Sequence, residues 1–259
     1  MKNFLRQFKY EFLNVVRSRW IFFYVLIVFG LSAMFGYLSG DMSKTLVTLS
    51  SVVVVLIPLV SVLFSTFYWY NSDRYTELLL TQPVSRPSVL LSRGLAVVLA
   101  LGFSFVFGAG FYFLIRGYWS SSLMLVLLIG FYLTFVFSVI GIWIGIAVLD
   151  RMRGVGLAFG MWLYFAIIHD SLILLSLLLF DEYPMDTPAA FMGVLNPIGL
   201  GRVILLMQQD SALLLGHSGA LMRQVLTSAS GTVYALLFAA IWLILPTFAA
   251  IHKFKSRDL

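Results

Sequence analysis

The chain of 259 residues contains no cysteine, and it is poor in charge and in histidine. The absence of cysteine excludes disulfide bonds, thiolate metal ligands and a cysteine nucleophile. Only 11% of the residues are charged, against roughly 25% in soluble domains, and no stretch is polar enough to form a separate soluble domain. The three histidines are far apart without a metal-binding spacing, and there is no Walker-type nucleotide loop. We therefore expect no metal site, no cofactor and no nucleic-acid partner for this chain.

The chain is instead rich in long apolar runs. Its residues are 61% hydrophobic, and its mean hydropathy is +0.99. A helix needs about 20 apolar residues to cross the hydrocarbon core of a bilayer. No strand-like alternation appears, and backbone groups in lipid must pair internally. We therefore predict an all-α polytopic membrane protein, with residues 1–259 in a single transmembrane domain of six spans. The predicted spans are Trp20–Leu38, Leu46–Tyr70, Gly94–Ile115, Leu123–Leu149, Val155–Phe180 and Gly231–Ile251.

Lysine and arginine orient this bundle, because they accumulate in cytoplasmic loops. With six spans, both termini lie on the same side as residues 71–93 and 150–154, and that side holds 13 of the 17 basic residues. The other side holds only Lys44, Arg116, Arg202 and Arg223. We therefore predict a multi-pass protein of the bacterial inner membrane with both termini in the cytoplasm.

Residues 1–19 have the pattern of an amphipathic helix. Apolar side chains recur at helical spacing from Phe4 to Val16, while Lys2, Arg6 and Lys9 occupy other faces. Such a helix lies at the membrane surface with its cations near anionic head groups, and membrane lipids are thus expected partners. The alternatives are a frayed leader to the first span and a signal peptide. For a signal peptide, however, the apolar run is too long and lacks a small-residue cleavage site.

Residues 181–230 form a large loop on the outer side. It contains two partly apolar stretches, Ala189–Met207 and Ala212–Leu226. Asn196-Pro197 and Arg202 interrupt the first stretch, and His217 and Arg223 interrupt the second, so neither makes a convincing span. We expect short helices that lie at the outer interface or dip into it.

His169 and Asp170 stand out as a polar pair near the middle of the fifth predicted span. A carboxylate there costs about 2.5–3.5 kcal/mol on insertion scales, and it normally faces the bundle interior or a partner. The pair is either a substrate or proton site in a pathway, or a satisfied contact that fixes helix packing. A third interpretation is that the span is shifted and the pair lies nearer the outer surface.

Residues 71–93 interrupt two apolar runs with charge, and we predict that they form a loop in water. Arg74–Thr81 can form two helical turns, and Pro83 ends them because the residue before a proline disfavours helical geometry. The spacing fits a rigid knob that sits in a cleft of a soluble ATPase. It fits a well-capped solvated loop equally well.

A family resemblance appears at this loop. Glu77–Arg86, followed by Val89-Leu90-Leu91 and Arg93, resembles the segment E-x-L-L-x-x-P-V-S-R-x-x-I-L-L-x-K of type-two ATP-binding-cassette permeases. An amphipathic first helix, six spans and a large loop before the last span are similar to that family as well. The chain departs from the family in having Ser72-Asp73-Arg74 where Gly-Glu-Arg is usual.

Within this family, the chain most resembles the permeases of transporters that mature nitrous oxide reductase. Leu46–Pro58, and Leu195-Asn196-Pro197 with Arg202, lie where that group has similar residues. The cargo implied by this resemblance is a sulfur or copper species, with a periplasmic accessory protein at the outer loop. The outer-loop residues concerned are Asn196, Pro197 and Arg202.

The wider resemblance implies a homodimeric permease that is not itself an enzyme. Two copies of a separate ATPase would hold ATP and magnesium, and Asp73–Pro83 would be the coupling helix. The amphipathic helix would be a connecting helix that packs near the ATPase. The coupling residues implied are Asp73, Arg74, Glu77, Leu80, Pro83 and Arg86.

Three other functional classes remain open on the sequence. The first is a secondary transporter or channel that uses Asp170 as a proton-linked group. The second is an intramembrane enzyme, although no nucleophile and base are assembled in the pattern. The third is a scaffold that anchors a soluble complex without transporting anything.

Overall fold

The computed structural model describes residues 2–72, 85–180, 186–208 and 229–256, and every regular element in those ranges is a helix. A π-helical turn, Tyr164–Ile168, joins the helices Arg151–Leu163 and His169–Leu179, and we call residues 151–179 the rod. Six helices are long and apolar enough to cross a membrane, which confirms the prediction of an all-α, multi-pass membrane protein. The helices are α1 (Lys2–Val16), α2 (Arg19–Ser39), α3 (Met42–Asn71), α4 (Arg86–Ile115), α5 (Ser121–Ala147), α6 (Arg151–Leu163), α7 (His169–Leu179), α8 (Asp186–Leu195), α9 (Pro197–Gln208) and α10 (Ala229–Lys255).

The centre of the bundle is formed by α3 packed along α5, because glycines on α5 let the two backbones approach closely. A Cβ atom added to Gly141 would lie 2.4 Å from the Val62 carbonyl oxygen, and one added to Gly145 would lie 2.9 Å from the Trp69 side chain. The Thr66 hydroxyl donates a hydrogen bond to the Gly141 carbonyl at 3.0 Å. This contact holds α3 closely against α5.

The outer helices leave much of their apolar surface uncovered. α1 and α2 both pack against α4, whereas the rod and α10 have few buried residues along their apolar stretches. Such faces suit contact with lipid or with a second membrane-spanning chain. We call the end of the bundle that carries α1 and the end of α10 the terminal end, and the opposite end the distal end.

The charged interruption at the terminal end is shorter than predicted. α3 continues to Asn71 and α4 begins at Arg86, so residues 86–93 are helical. Arg93 is only 1% exposed, and the prediction that residues 71–93 all form a loop in water is therefore wrong for this part. The reason is local, since Ser85 occupies the N-cap position and a proline follows at the start of the helix, where its missing N–H costs nothing.

The outer loop predicted for residues 181–230 contains helices α8 and α9, which we call the α8–α9 pair. α9 contacts both α3 and α5, and its Ile198, Leu200 and Leu205 are buried. A Cβ atom added to Gly201 would lie 3.0 Å from the Ile129 side chain. The pair therefore dips into the bundle, which is one of the two arrangements expected. The second apolar stretch of the loop, residues 212–226, lies outside the described residues.

Candidate functional site

The structure brings together polar residues that lie far apart in the sequence. His169 and Asp170 are the first residues of α7, Asn196 lies between α8 and α9, and Arg202 lies on α9. The Arg202 guanidinium forms an ion pair with the Asp170 carboxylate, and His169 Nδ1 lies 3.8 Å from Asp170 Oδ1. We call these four residues the distal polar cluster. Its geometry agrees with a satisfied contact between helices.

The depth of the cluster also differs from the sequence expectation. The rod begins at Arg151 and ends at Leu179, so Asp170 lies about 28 Å from its terminal end and about 14 Å from its distal end. Asp170 is thus displaced from the middle of the rod toward its distal end. The side chains of Asp170 and Arg202 are 33% and 37% exposed, so the ion pair lies at the surface of the single chain and not in its core.

Asn196 links α9 to the rod within the distal polar cluster. Its side chain is fully buried, its amide nitrogen donates to the Phe165 carbonyl at 2.7 Å, and its amide oxygen accepts from the Ile198 N–H at 2.9 Å. The second bond caps α9, as asparagine commonly does at a helix N-terminus. The first bond reaches the π-helical turn, a type of irregularity that is frequent at functional sites. The amide nitrogen also lies 3.4 Å from His169 Nδ1.

Further contacts hold the α8–α9 pair in place. Pro197 is the first residue of α9, a position where its missing N–H and fixed φ suit a helix start. The Trp242 indole nitrogen on α10 donates to the Leu195 carbonyl at 2.9 Å, and the Trp242 ring packs edge-on against Phe165. The pair is thus tied to both the rod and α10. In the described part of the chain, no group of three or more histidine, aspartate or glutamate side chains is placed to hold a metal ion.

The residues implied for ATPase coupling lie in the sequence between α3 and α4 or at the start of α4. Five of them lie outside the described residues, namely Asp73, Arg74, Glu77, Leu80 and Pro83. The sixth, Arg86, is the first residue of α4, and its guanidinium donates to the Lys255 carbonyl at 3.3 Å. Arg86 therefore links the start of α4 to the end of α10.

A buried ion pair at the terminal end did not emerge from the sequence. Arg93 Nη2 on α4 lies 3.3 Å from Glu11 Oε1 on α1, and the two side chains are 1% and 7% exposed. The Tyr68 hydroxyl on α3 donates to the other Glu11 oxygen at 2.6 Å. The Arg93 guanidinium lies 5.5 Å from the centre of the Trp69 ring and 3.5 Å from the Ser72 carbonyl oxygen. We call Glu11, Arg93 and Tyr68 the brace.

The brace joins α1 to the two helices that flank residues 73–84. Both oxygens of the Glu11 carboxylate have partners, which is what a buried ion pair needs to offset the loss of hydration. The first helix is therefore anchored to the bundle, and its Val15 is fully buried. Leu5 and Val16, which the sequence pattern placed on its apolar face, are 60% and 40% exposed. They point outward because Glu11 and Val15 define the face that packs.

One signal in the sequence pointed to Glu11. It is the only carboxylate in the first forty residues, and it follows Phe4 by seven positions, which places it on the same helix face as Phe4 and Phe8. An acidic residue on the apolar face of an amphipathic helix needs a buried partner. Its partner Arg93 could not be named from spacing, because the two residues are 82 positions apart.

Comparison with known proteins finds no family model that matches the chain and no curated protein that matches it significantly. The structure establishes a multi-pass helical membrane protein of the kind found among transporters. The resemblance to type-two ATP-binding-cassette permeases rests on the motif around Glu77–Arg86 and on the order of the helices.

Proposed function

We propose that the chain is the permease subunit of an ATP-binding-cassette transporter, in which a separate ATPase moves the bundle of six spans. One observation carries the proposal. The charged segment 73–84, with its permease-like motif, connects two helices that are braced to α1 by the buried Glu11–Arg93 ion pair. The helices at both ends of the segment are therefore fixed to α1. The excess of basic residues at the terminal end supports a cytoplasmic position for the segment, where ATP is available.

The contacts of the terminal end supply a route for movement. A displacement of the segment reaches α3 at Ser72 and α4 at Arg86, and the brace holds α1 to both helices. α3 passes the displacement to α5 through the close contact at Gly141 and Gly145. Because packed helices move as rigid bodies, a small shift at one end of α3 becomes a rearrangement along the bundle.

The remaining parts of the proposal follow from the resemblance. Two copies of the chain would form the pathway, and the uncovered apolar faces of the rod and α10 offer surface for a second copy. Two copies of the ATPase would bind ATP and magnesium. The cargo would be a sulfur or copper species for the assembly of nitrous oxide reductase, and an accessory protein would dock on the outer loop around the α8–α9 pair.

Replacing Glu77 tests the coupling role of the segment. In nanodiscs that hold the chain with its ATPase, Glu77→Gln is expected to lower the stimulation of ATP hydrolysis by the permease at least about tenfold, since a hydrogen-bonded charge at an interface contributes about 1.5–3 kcal/mol. The melting temperature of the isolated chain is expected to stay unchanged. Asp150→Asn is the matched control, because Asp150 is a half-exposed carboxylate at the same end. Unchanged stimulation by Glu77→Gln, or an equal loss with Asp150→Asn, would overturn the coupling role.

A further inference from the structure

A groove runs along the membrane-facing side of the bundle between α2 and α3. α4 forms its floor through Leu101 and Phe105, and the cavity has a volume of about 450 Å³. Trp20 and Ile27 form part of its rim and are 74% and 56% exposed. This volume lies within the range of about 300–1,000 Å³ that is usual for small-molecule sites. The groove is therefore large enough to hold a molecule and is open toward the lipid.

Tyr24 lies in the wall of this groove. The residue is 7% exposed, and its hydroxyl oxygen is buried without a hydrogen-bond partner among the described residues. Apart from the indole of Trp20 at the rim, the other side chains that line the groove are apolar. Buried polar groups in folded proteins nearly always have a partner, and a ligand in the groove with a hydrogen-bond acceptor would supply one after a rotation of the Tyr24 side chain.

Positive charge lies at the terminal end of the groove. Arg17 and Arg19 are exposed in and just after the turn between α1 and α2. Arg19 precedes Phe23 by four residues, so it lies one turn below this lining residue on the same face of α2. The nearby carboxylate of Glu11 is engaged in the brace and does not neutralise these cations. The mouth of the groove thus attracts an anion.

The three features follow one another along α2 in a fixed order. From Arg19 to Tyr24 the helix rises about 7.5 Å, and from Tyr24 to Leu31 at the far part of the groove it rises about 10.5 Å. The total of about 18 Å is close to half of the ~30 Å hydrocarbon core, which is the depth of one leaflet. A glycerophospholipid has its parts in the same order, with an anionic phosphate, then ester carbonyls, then acyl chains.

We propose that this groove is a binding site for one anionic glycerophospholipid from the leaflet at the terminal end. The phosphate and the anionic head group lie against Arg17 and Arg19. An ester carbonyl accepts the hydrogen bond of the Tyr24 hydroxyl, and one acyl chain fills the slot between α2 and α3. The site does not depend on the proposed transport function, because it needs only this chain and a bilayer.

Native mass spectrometry of the full chain tests the site. The chain is taken from bilayers with equal amounts of phosphatidylglycerol and phosphatidylcholine of identical acyl chains, and the retained lipids are counted. We expect one phosphatidylglycerol per chain, and we expect the combined change Arg17→Gln and Arg19→Gln to abolish the preference for it. Leu56→Trp, which fills the groove, is expected to abolish retention of both lipids.

Tyr24→Phe tests the hydrogen bond alone. It is expected to lower retention of the ester-linked lipid about two- to tenfold, which corresponds to one hydrogen bond, and to leave an ether-linked analogue unaffected. Arg153→Gln and Phe22→Trp are matched controls outside the groove, since both residues are exposed on the described surface, and neither is expected to change retention. Equal retention by the native chain and the arginine variant would overturn the proposal. So would a Leu56→Trp variant that dissociates a dimer without losing lipid, because the groove would then be an interface between two copies.

Discussion

Arg93→Met is expected to lower the free energy of unfolding by about 3–5 kcal/mol, because removing one partner of a buried ion pair leaves the other charge uncompensated. Arg93 and Glu11 are 1% and 7% exposed, so water cannot replace the missing guanidinium without opening the contact between α1 and α4. The Tyr68 hydroxyl would remain as a partner of the carboxylate in the described structure, and a single neutral donor does not balance a buried charge. Reversible unfolding in mixed micelles, followed by tryptophan fluorescence, measures the change.

The double substitution Glu11→Leu with Arg93→Met separates the ion pair from general packing. A buried pair replaced by apolar side chains of similar volume is often neutral for stability, so the double variant is expected to recover most of the loss. The exposed pair Asp150 and Arg153 is the matched control, with side chains 54% and 85% exposed. Arg153→Met is expected to change stability by no more than about 1 kcal/mol. A double variant as unstable as Arg93→Met alone would contradict the assignment of the effect to an uncompensated charge.

Arg202→Met is expected to release the α8–α9 pair from the rod. Asp170 would lose the cation that its carboxylate contacts, which leaves a partly exposed charge without its ion-pair partner. Leu200→Cys provides the readout, because Leu200 is 1% exposed on α9 and the native chain contains no cysteine that would react. We expect the rate of maleimide labelling at this position to rise by about two- to fivefold in the Arg202→Met variant, because a partly exposed ion pair contributes up to about 1 kcal/mol against local opening.

Asp170→Asn combined with Arg202→Met is the control for this prediction. Removing both charges is expected to bring the labelling rate back toward the native value. A cysteine at Ala100, which is fully buried in α4, is expected to label equally slowly in every background. Faster labelling at both positions would mean general unfolding, and no change at Leu200→Cys would contradict a holding role for the ion pair.

Asp170→Asn as a single substitution distinguishes the proposed permease from a secondary transporter. A proton-linked role for Asp170 requires uptake driven by a pH gradient in liposomes that contain this chain alone, and Asp170→Asn would abolish it. The geometry favours a different role, since Asp170 contacts Arg202 and lies close to His169 and Asn196. We therefore expect no uptake by the chain alone under a pH gradient.

The helices of the fold could be predicted because each span is a local property of the sequence. A run of about 20 apolar residues is sufficient to identify a span, and the six runs agree with the six candidate helices. The predicted boundaries of the spans were less accurate where a helix ends in polar residues. Arg93 was placed in water by its charge, yet it is buried in α4, where a carboxylate 82 positions away compensates its charge.

The sequence made the residues of the distal polar cluster conspicuous, but it did not predict that they contact one another. His169 and Asp170 were conspicuous as polar residues in an apolar run, and Asn196 with Arg202 interrupted another. Their contact depends on α9 folding back into the bundle, which the sequence left open between lying on the surface and dipping inward. The fully buried Asn196 decides between the two, since its amide reaches the carbonyl of Phe165.

The brace shows a different limit of sequence reasoning. Its three residues come from three helices, and each alone has an ordinary explanation. Glu11 reads as part of a charged helix, Tyr68 as an interfacial aromatic residue, and Arg93 as a topology signal. Long-range pairing of this kind has no period or spacing, and only the packed structure reveals it.

Purification of the chain from its native membrane in a mild detergent tests the proposed function most directly. The proposed function predicts that a nucleotide-binding subunit remains bound and that the complex hydrolyses ATP. The complex is expected to contain two copies of the chain and two copies of the nucleotide-binding subunit. Mass spectrometry and light scattering give the identity and the stoichiometry of the bound proteins. Transport by the chain alone, without a nucleotide-binding subunit in the purified material, would contradict the proposed function.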